Sequence, residues 1–293
     1  MRLVRFDNMG TPRLGVLRGD AIVPLDSLAS RFPTMLSVIA AGEEALDAIR
    51  SVAASGVATV PLNEARLLAP IERPEKFLAI GMNYRRHIEE AKRLGAPVPT
   101  NQFWFNKQTS CITGPYDDVD TGVSQAVDYE VELGLVIGKT AKHVSVEDAR
   151  NHVFGYLVCN DVSARDWQAH APTFTVGKSF DTHGPIGPWI VTADEIPDPH
   201  GLGLRCYVNG ELRQDSNTSE LVYNVWEQIA YLSTAFTLNP GDLLATGTPN
   251  GVGVAMTPPR FLQAGDVVRC EVDCIGIIEN RIAGSEAARI AAR

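Results

Sequence analysis

Asp128-Tyr129-Glu130-Val131-Glu132-Leu133-Gly134-Leu135-Val136-Ile137-Gly138 is the stretch on which the fold and the chemistry of this chain turn. Its run of branched and aliphatic residues predicts a strand, and strand side chains alternate between two faces. Tyr129, Val131, Leu133, Leu135 and Ile137 then share one face, with Glu130 and Glu132 on the other. Two neighbouring carboxylates on an apolar strand repel each other, and burying either unpaired is costly. Either a positive group sits between them, or this face of the strand lies in water. The segment alone leaves both open.

Further along, Gly155-Tyr156-Leu157-Val158-Cys159-Asn160-Asp161 reads as a second apolar strand ending at Asp161. Ser163, followed three residues later by Asp166, resembles a capping box that opens a short helix. A helix beginning at Asp161 carries Arg165 and Gln168 on the same face. If Glu130, Glu132 and Asp161 converge, three carboxylates without a soft ligand select a hard divalent cation, Mg²⁺ or Mn²⁺, and leave positions for water or substrate oxygens. Upstream, Gly81-Met82-Asn83-Tyr84-Arg85-Arg86-His87-Ile88-Glu89-Glu90 supplies a candidate base. Asn83 caps a helix in which His87 and Glu90 are three apart, so the carboxylate can orient the imidazole; a solvated polar helix surface is the plain alternative. Lys178, in Val176-Gly177-Lys178-Ser179, and Lys107, at the end of Phe103-Trp104-Phe105-Asn106-Lys107, are donors for an anionic substrate or simple surface charges. Thr246-Gly247-Thr248-Pro249-Asn250-Gly251 lacks the Gly-Lys-Ser/Thr ending of a nucleotide loop, but its amides and the Thr248 hydroxyl can hold a carboxylate.

The chain has 293 residues, 45% of them hydrophobic, with a mean hydropathy of −0.03, which excludes disorder and repeat scaffolds. Residues 1–72 are expected to form a small N-terminal α+β domain, a strand meander followed by a helix from Met35 to Ala54, and residues 73–293 the main domain. From Phe77 onward strands dominate, with an Asn209-Gly210 hairpin, helical pieces at 86–94, 145–150, 162–169 and 222–235, and a helical tail from Ser285 to Arg293. Without regular βαβ alternation, a doubly wound sheet is disfavoured. The expected class is α+β, predominantly β: a mixed roll or sandwich with peripheral helices.

Lys plus Arg number 26 against 35 Asp plus Glu, a formal charge of −9 with no basic run, so neither nucleic acid nor an anionic membrane is an expected partner. The first residues lack the apolar centre of a signal peptide, and no apolar run is long enough to span a bilayer. Five cysteines without CxxC spacing read as reduced thiols of a cytoplasmic protein, with Cys270 and Cys274 on one strand face.

Taken in order, Gly81 to His87, Asp128 to Gly138, Asn160 to Gln168, Gly177 to Asp181, Gly184-Pro185-Ile186-Gly187-Pro188-Trp189, Val208 to Gln214, and Pro240-Gly241-Asp242 running into Thr246-Gly247-Thr248-Pro249 resemble the fumarylacetoacetate hydrolase family. The resemblance spans about residues 77–282. It implies a mixed β-roll catalytic domain, a small N-terminal domain and a homodimer. By the same resemblance, Glu130, Glu132 and Asp161 are metal ligands, and His87 and Glu90 are the dyad of members with a helical lid. Arg165, Gln168, Lys178 and Thr248 bind substrate oxygens, Lys178 also serving catalysis, and Lys107 is a further pocket lysine. The founding hydrolase has an extra aspartate ligand where this chain reads Leu78-Ala79-Ile80-Gly81-Met82, which implies a three-carboxylate site and a different substrate. The Phe103–Lys107 segment resembles members acting on diketo sugar acids and other acylpyruvates.

The expected activity is metal-dependent hydrolysis of a C–C bond in a small anionic 2,4-diketo acid, giving a carboxylate and a pyruvate-type 2-oxo acid. Oxaloacetate decarboxylation and enol–keto isomerisation use the same site and are the alternatives, with a non-enzymatic metal-binding scaffold as a third class.

Overall fold

In the computed structural model, which describes residues 1–56 and 58–284, the Asp128–Gly138 stretch becomes the strand Val131–Ile137, buried along its whole length. It lies near the middle of a twelve-stranded sheet, paired antiparallel to Val153–Asn160 on one side and to Leu243–Ala245 on the other. Most pairings are antiparallel, but Leu243–Ala245 runs parallel to Phe77–Gly81, so the sheet is mixed. Gly134 permits the close neighbour: a Cβ there would lie 2.5 Å from the Cys159 sulfur.

The alternation of the strand sorts its residues into two cores. Tyr129, Val131, Leu133, Leu135 and Ile137 pack with Leu204, Cys206, Val268 and Cys270 of a five-stranded sheet and with Val225, Ile229 and Leu232 of the helix Val225–Ala235. Val136, Leu157, Cys159 and Ile186 face the opposite way, onto Val38, Ile39, Leu46 and Ile49. The large sheet is thus covered by a sheet on one face and by N-terminal helices on the other, a predominantly β, α+β architecture. The strands of residues 1–72 continue the large sheet, joined where Arg2 and Leu3 pair with Val191 and Ile190.

Asn209 (φ 52°) and Gly210 (φ 79°) make the two-residue turn between Gly203–Val208 and Glu211–Asn217, as their dipeptide predicts. Four local expectations are corrected. The helix from Met35 to Ala54 is two helices, Met35–Ala41 and Glu43–Ala54, broken at Gly42, whose φ of 57° interrupts the hydrogen-bond ladder. The piece at 145–150 is a turn leading into a 3₁₀ segment, Ala149–His152. In place of a helix over 162–169, Ser163–Ala164 is a short strand and only Arg165–Gln168 is helical. Cys274 lies beyond the strand Val267–Val272 in an exposed turn with φ 63°, so it does not share a face with Cys270. The expected Ser285–Arg293 helix lies outside the described residues. No helix among the described residues is long and apolar enough to cross a membrane.

Candidate active site

Antiparallel pairing of Val131 with Asn160 brings the acidic ends of the two strands together, and the Asp161 N–H donates to the Glu130 carbonyl at 2.9 Å. Carboxylate oxygens of Glu130, Glu132 and Asp161 lie within 4.8 Å of one another. All three residues are buried, Glu132 and Asp161 to 1% exposure, which removes the alternative of a wet strand face.

The positive groups demanded by that burial are present. Lys178 Nζ bridges Glu130 and Asp161 at 2.7 Å each, and Arg165 Nη2 donates to Glu130 at 2.7 Å. Arg165 is itself held by Asp128 at 2.9 Å and donates to the Gln168 side-chain oxygen at 3.0 Å. Burial raises the Glu130 carboxyl pKa, but the charges of Lys178 and Arg165 outweigh it and bring it down to about 2. Glu132, two residues along, goes the other way. Its carboxylate accepts the Gly247 N–H at 2.7 Å and has no ion pair among the described residues. Burial, then the charges of Asp161 and Glu130, push it well above the usual carboxylate range.

An oxygen-only donor set, closely spaced and carrying one anion without a counter-charge, is what a hard divalent cation such as Mg²⁺ or Mn²⁺ requires. The residues present fit that group, with Glu130, Glu132 and Asp161 as its ligands.

Glu130 lines a cavity of about 300 Å³ together with His87, Glu90, Arg165, Gln168, Lys178 and Thr248. The helix Arg85–Arg93 delivers the dyad, His87 Nδ1 lying 2.9 Å from Glu90 Oε2. Glu90 Oε1 accepts the Gly251 N–H at 3.0 Å, which ties this helix to the loop after Thr248. Thr248 Oγ1 donates to the Val131 carbonyl at 3.0 Å and accepts from Gln214 at 2.9 Å. The amides of this loop that do hold carboxylates, Gly247 N–H and Gly251 N–H, hold the protein's own Glu132 and Glu90.

Three expectations about local chemistry change. Asn83 does not cap the helix. Its side chain donates to the Tyr223 and Thr246 carbonyls at 3.0 and 2.8 Å, and the residue at the cap is Tyr84. Ser163 and Asp166 form no capping box: Ser163 Oγ donates to the Asp161 carbonyl at 2.8 Å, and Asp166 accepts from Ser124 at 2.6 Å. Arg165 and Gln168 reach the site from a helix that begins at Arg165, not at Asp161.

Lys107 is not a pocket lysine. It is 2% exposed, lies behind Asp161, donates to it at 2.6 Å and also to the Lys178 carbonyl, and does not line the cavity. Lys107→Met should lower the unfolding free energy by about 1.5–3 kcal/mol in urea titrations, because buried Asp161 loses one of its two lysine partners and keeps Lys178. A loss below about 1 kcal/mol would place this ion pair in water.

Asp128, quoted in the first stretch without a role, is the residue the sequence reading missed. It ends a separate short strand, Val127–Asp128, paired with Ser163–Ala164, and from there it anchors Arg165.

Residues 76–283 match the model of the fumarylacetoacetate (FAA) hydrolase C-terminal domain, and residues 1–70 match the Rv2993c-like N-terminal domain. The mitochondrial oxaloacetate tautomerase fahd2 of Xenopus laevis is 46% identical over 290 residues, spanning 96% of this chain and 90% of the relative. The mitochondrial oxaloacetate tautomerase FAHD2B of Bos taurus is 43% identical over 290 residues, spanning 96% and 91%. Among solved structures, maleylpyruvate hydrolase from Sphingobium sp. SYK-6, in complex with manganese(II) and pyruvate, is 35% identical with a TM-score of 0.83, covering 98% of this chain and 100% of that one.

Proposed function

Because the chain belongs to the fumarylacetoacetate hydrolase family, an enzyme family in which isomerases and hydrolases both occur, we propose that it moves the acidic proton on carbon 3 of a small anionic 2-oxo acid, interconverting its keto and enol forms. The observation that carries this is the His87–Glu90 dyad opening onto the same cavity as Glu130. Glu130, Glu132 and Asp161 would hold a divalent cation, which would supply Lewis acidity and so raise the acidity of the C–H beside a 2-oxo group.

The chain's own residues do the rest. Glu90 accepts the Nδ1 proton of His87, which leaves Nε2 as the lone pair that takes the carbon 3 proton and returns it. Gln168 uses its side-chain oxygen on Arg165, so its amide N–H groups face a substrate oxygen. Lys178 is bound to two carboxylates, which makes it the counter-charge of the acidic centre and a poor oxyanion donor. That arrangement and the 43–46% identity to tautomerases support reading proton transfer ahead of the hydrolysis expected from the sequence alone.

Hydrolysis of an acylpyruvate is the second reading, favoured by the likeness to maleylpyruvate hydrolase. In it the same dyad deprotonates a water that attacks the more distant carbonyl. Oxaloacetate decarboxylation would share the enol step. The homodimer and the cytoplasm remain part of the proposal; the two tautomerases named above are mitochondrial.

Incubation of the Mg²⁺-loaded protein with the enol forms of oxaloacetate and arylpyruvates and with acylpyruvates separates the three activities by product. Metal-dependent loss of the enol absorbance with all carbon retained is the expected result. Release of pyruvate with a carboxylic acid, or of CO₂, at a rate exceeding ketonisation would replace it with hydrolase or decarboxylase.

A further inference from the structure

We infer that Gln214 is a positioning residue that holds the acidic centre and the His87–Glu90 dyad in register with each other. This rests on the cation site and the 2-oxo acid chemistry proposed above and names a residue on which both depend. Gln214 lies outside the cavity lining. It belongs to Glu211–Asn217, an edge strand of the five-stranded sheet, and yet it is 1% exposed. Leu212, which would share its face in a regular strand, is 48% exposed. A β-bulge separates the two. Cys206 pairs with Gln214 and the next residue, Tyr207, pairs with Leu212, which leaves Arg213 as the extra residue and turns Gln214 inward.

The inward side chain fills a gap in the large sheet. Val131 stands between Glu130 and Glu132, and its N–H and C=O point toward the side of Leu243–Ala245, as those of Leu133 do. The ladder on that side stops at Leu133, whose carbonyl accepts the Thr246 N–H at 3.1 Å. At Val131 side chains replace the missing strand, because buried backbone groups must be paired. Gln214 Oε1 accepts the Val131 N–H at 3.0 Å, and Thr248 Oγ1 donates to the Val131 carbonyl at 3.0 Å. Gln214 Nε2 closes the ring by donating to Thr248 Oγ1 and to the Pro249 carbonyl, at 2.9 Å each. Each of these bonds goes either to the backbone between two ligand carboxylates or to the loop that carries Thr248. The same bulge reaches the dyad. Gly251 holds φ at 101°, and a Cβ there would strike the Arg213 carbonyl oxygen, so the bulged backbone lies directly against the residue whose N–H holds Glu90. A displaced Gln214 therefore moves the acidic strand, Thr248 and the Glu90 anchor together. A buried network of this kind specifies one arrangement only while every member is satisfied.

The test uses the full chain and Gln214→Met, which keeps the length of the side chain and removes its amide. Calorimetry with Mn²⁺ alone should find affinity lower by about tenfold or more, and kcat for enol–keto conversion of oxaloacetate at saturating Mg²⁺ should fall by about tenfold, the range of groups that orient a ligand from behind. Asn280→Leu is the control. Asn280 is also 1% exposed, and its amide donates to the Gly114 and Asp117 carbonyls, away from the site. It should lose stability in urea with wild-type metal affinity. Wild-type affinity in folded Gln214→Met, or an equal loss in Asn280→Leu, overturns the inference, and an undiminished kcat overturns the link to the dyad. If Gln214→Met does not fold, Gln214→Asn, whose amide is one methylene short of its partners, is read in the same way. A wild type that binds Mn²⁺ but converts no 2-oxo acid would sink the enolisation reading alone, and metal affinity still decides the role of Gln214. A wild type that binds no metal overturns both.

Discussion

Glu132→Gln is expected to lower the affinity for Mn²⁺ or Mg²⁺ by about 10²-fold or more and to abolish turnover at ordinary metal concentrations, since even groups that merely orient a ligand are worth about 10–100-fold. Glu132 is the carboxylate of the cluster without a counter-charge, 1% exposed and held by one backbone N–H. Asp161 and Glu130 are braced by lysine and arginine, whereas Glu132 is destabilised by both of them. The amide substitution removes that repulsion. Metal-free Glu132→Gln should therefore resist urea as well as or better than the wild type while failing to bind metal in calorimetry. Loss of stability together with loss of affinity would mark Glu132 as a structural group, and undiminished metal affinity would remove it from the ligand set.

His87→Ala is expected to lower kcat by about 10²–10⁴-fold, the usual contribution of a positioned general base, with metal affinity unchanged. The imidazole contacts no ligand carboxylate; its partner is Glu90, which is tethered to the Gly251 N–H. Glu90→Gln should cost less than His87→Ala, because the base remains but its orientation and its Nδ1 proton are no longer dictated. Stopped-flow ketonisation with saturating Mg²⁺ measures both. Equal rates for wild type and His87→Ala would transfer proton removal to another group.

Much of this site was legible in the chain because alternation is a local property of strands. The parity of Glu130 and Glu132 set their common face, and the i, i+3 spacing of His87 and Glu90 set their contact, whatever lies around them. The hairpin at Asn209-Gly210 was legible for the same kind of reason: both residues tolerate the positive φ that the turn demands. Capping was less legible. Asn83 and Ser163 have side chains suited to caps, but Asn83 is taken by the distant carbonyls of Tyr223 and Thr246, and Ser163 by the carbonyl of Asp161 two residues before it.

The lysines show where local pattern ends. Lys107 and Lys178 look alike in the sequence, each beside aromatic or small residues and each available to an anion. One became a buried brace behind Asp161 and the other a bridge between Glu130 and Asp161 that lines the cavity. By itself the sequence determined the strand parity, the acidic triad, the dyad and the family. Tertiary structure alone decided which face was dry and which cations were spent on neutralising the carboxylates. The physical reason is that alternation and helical spacing follow from backbone geometry over a few residues, while burial and charge pairing depend on segments that the fold brings together from more than fifty residues apart, as with Lys107 and Asp161.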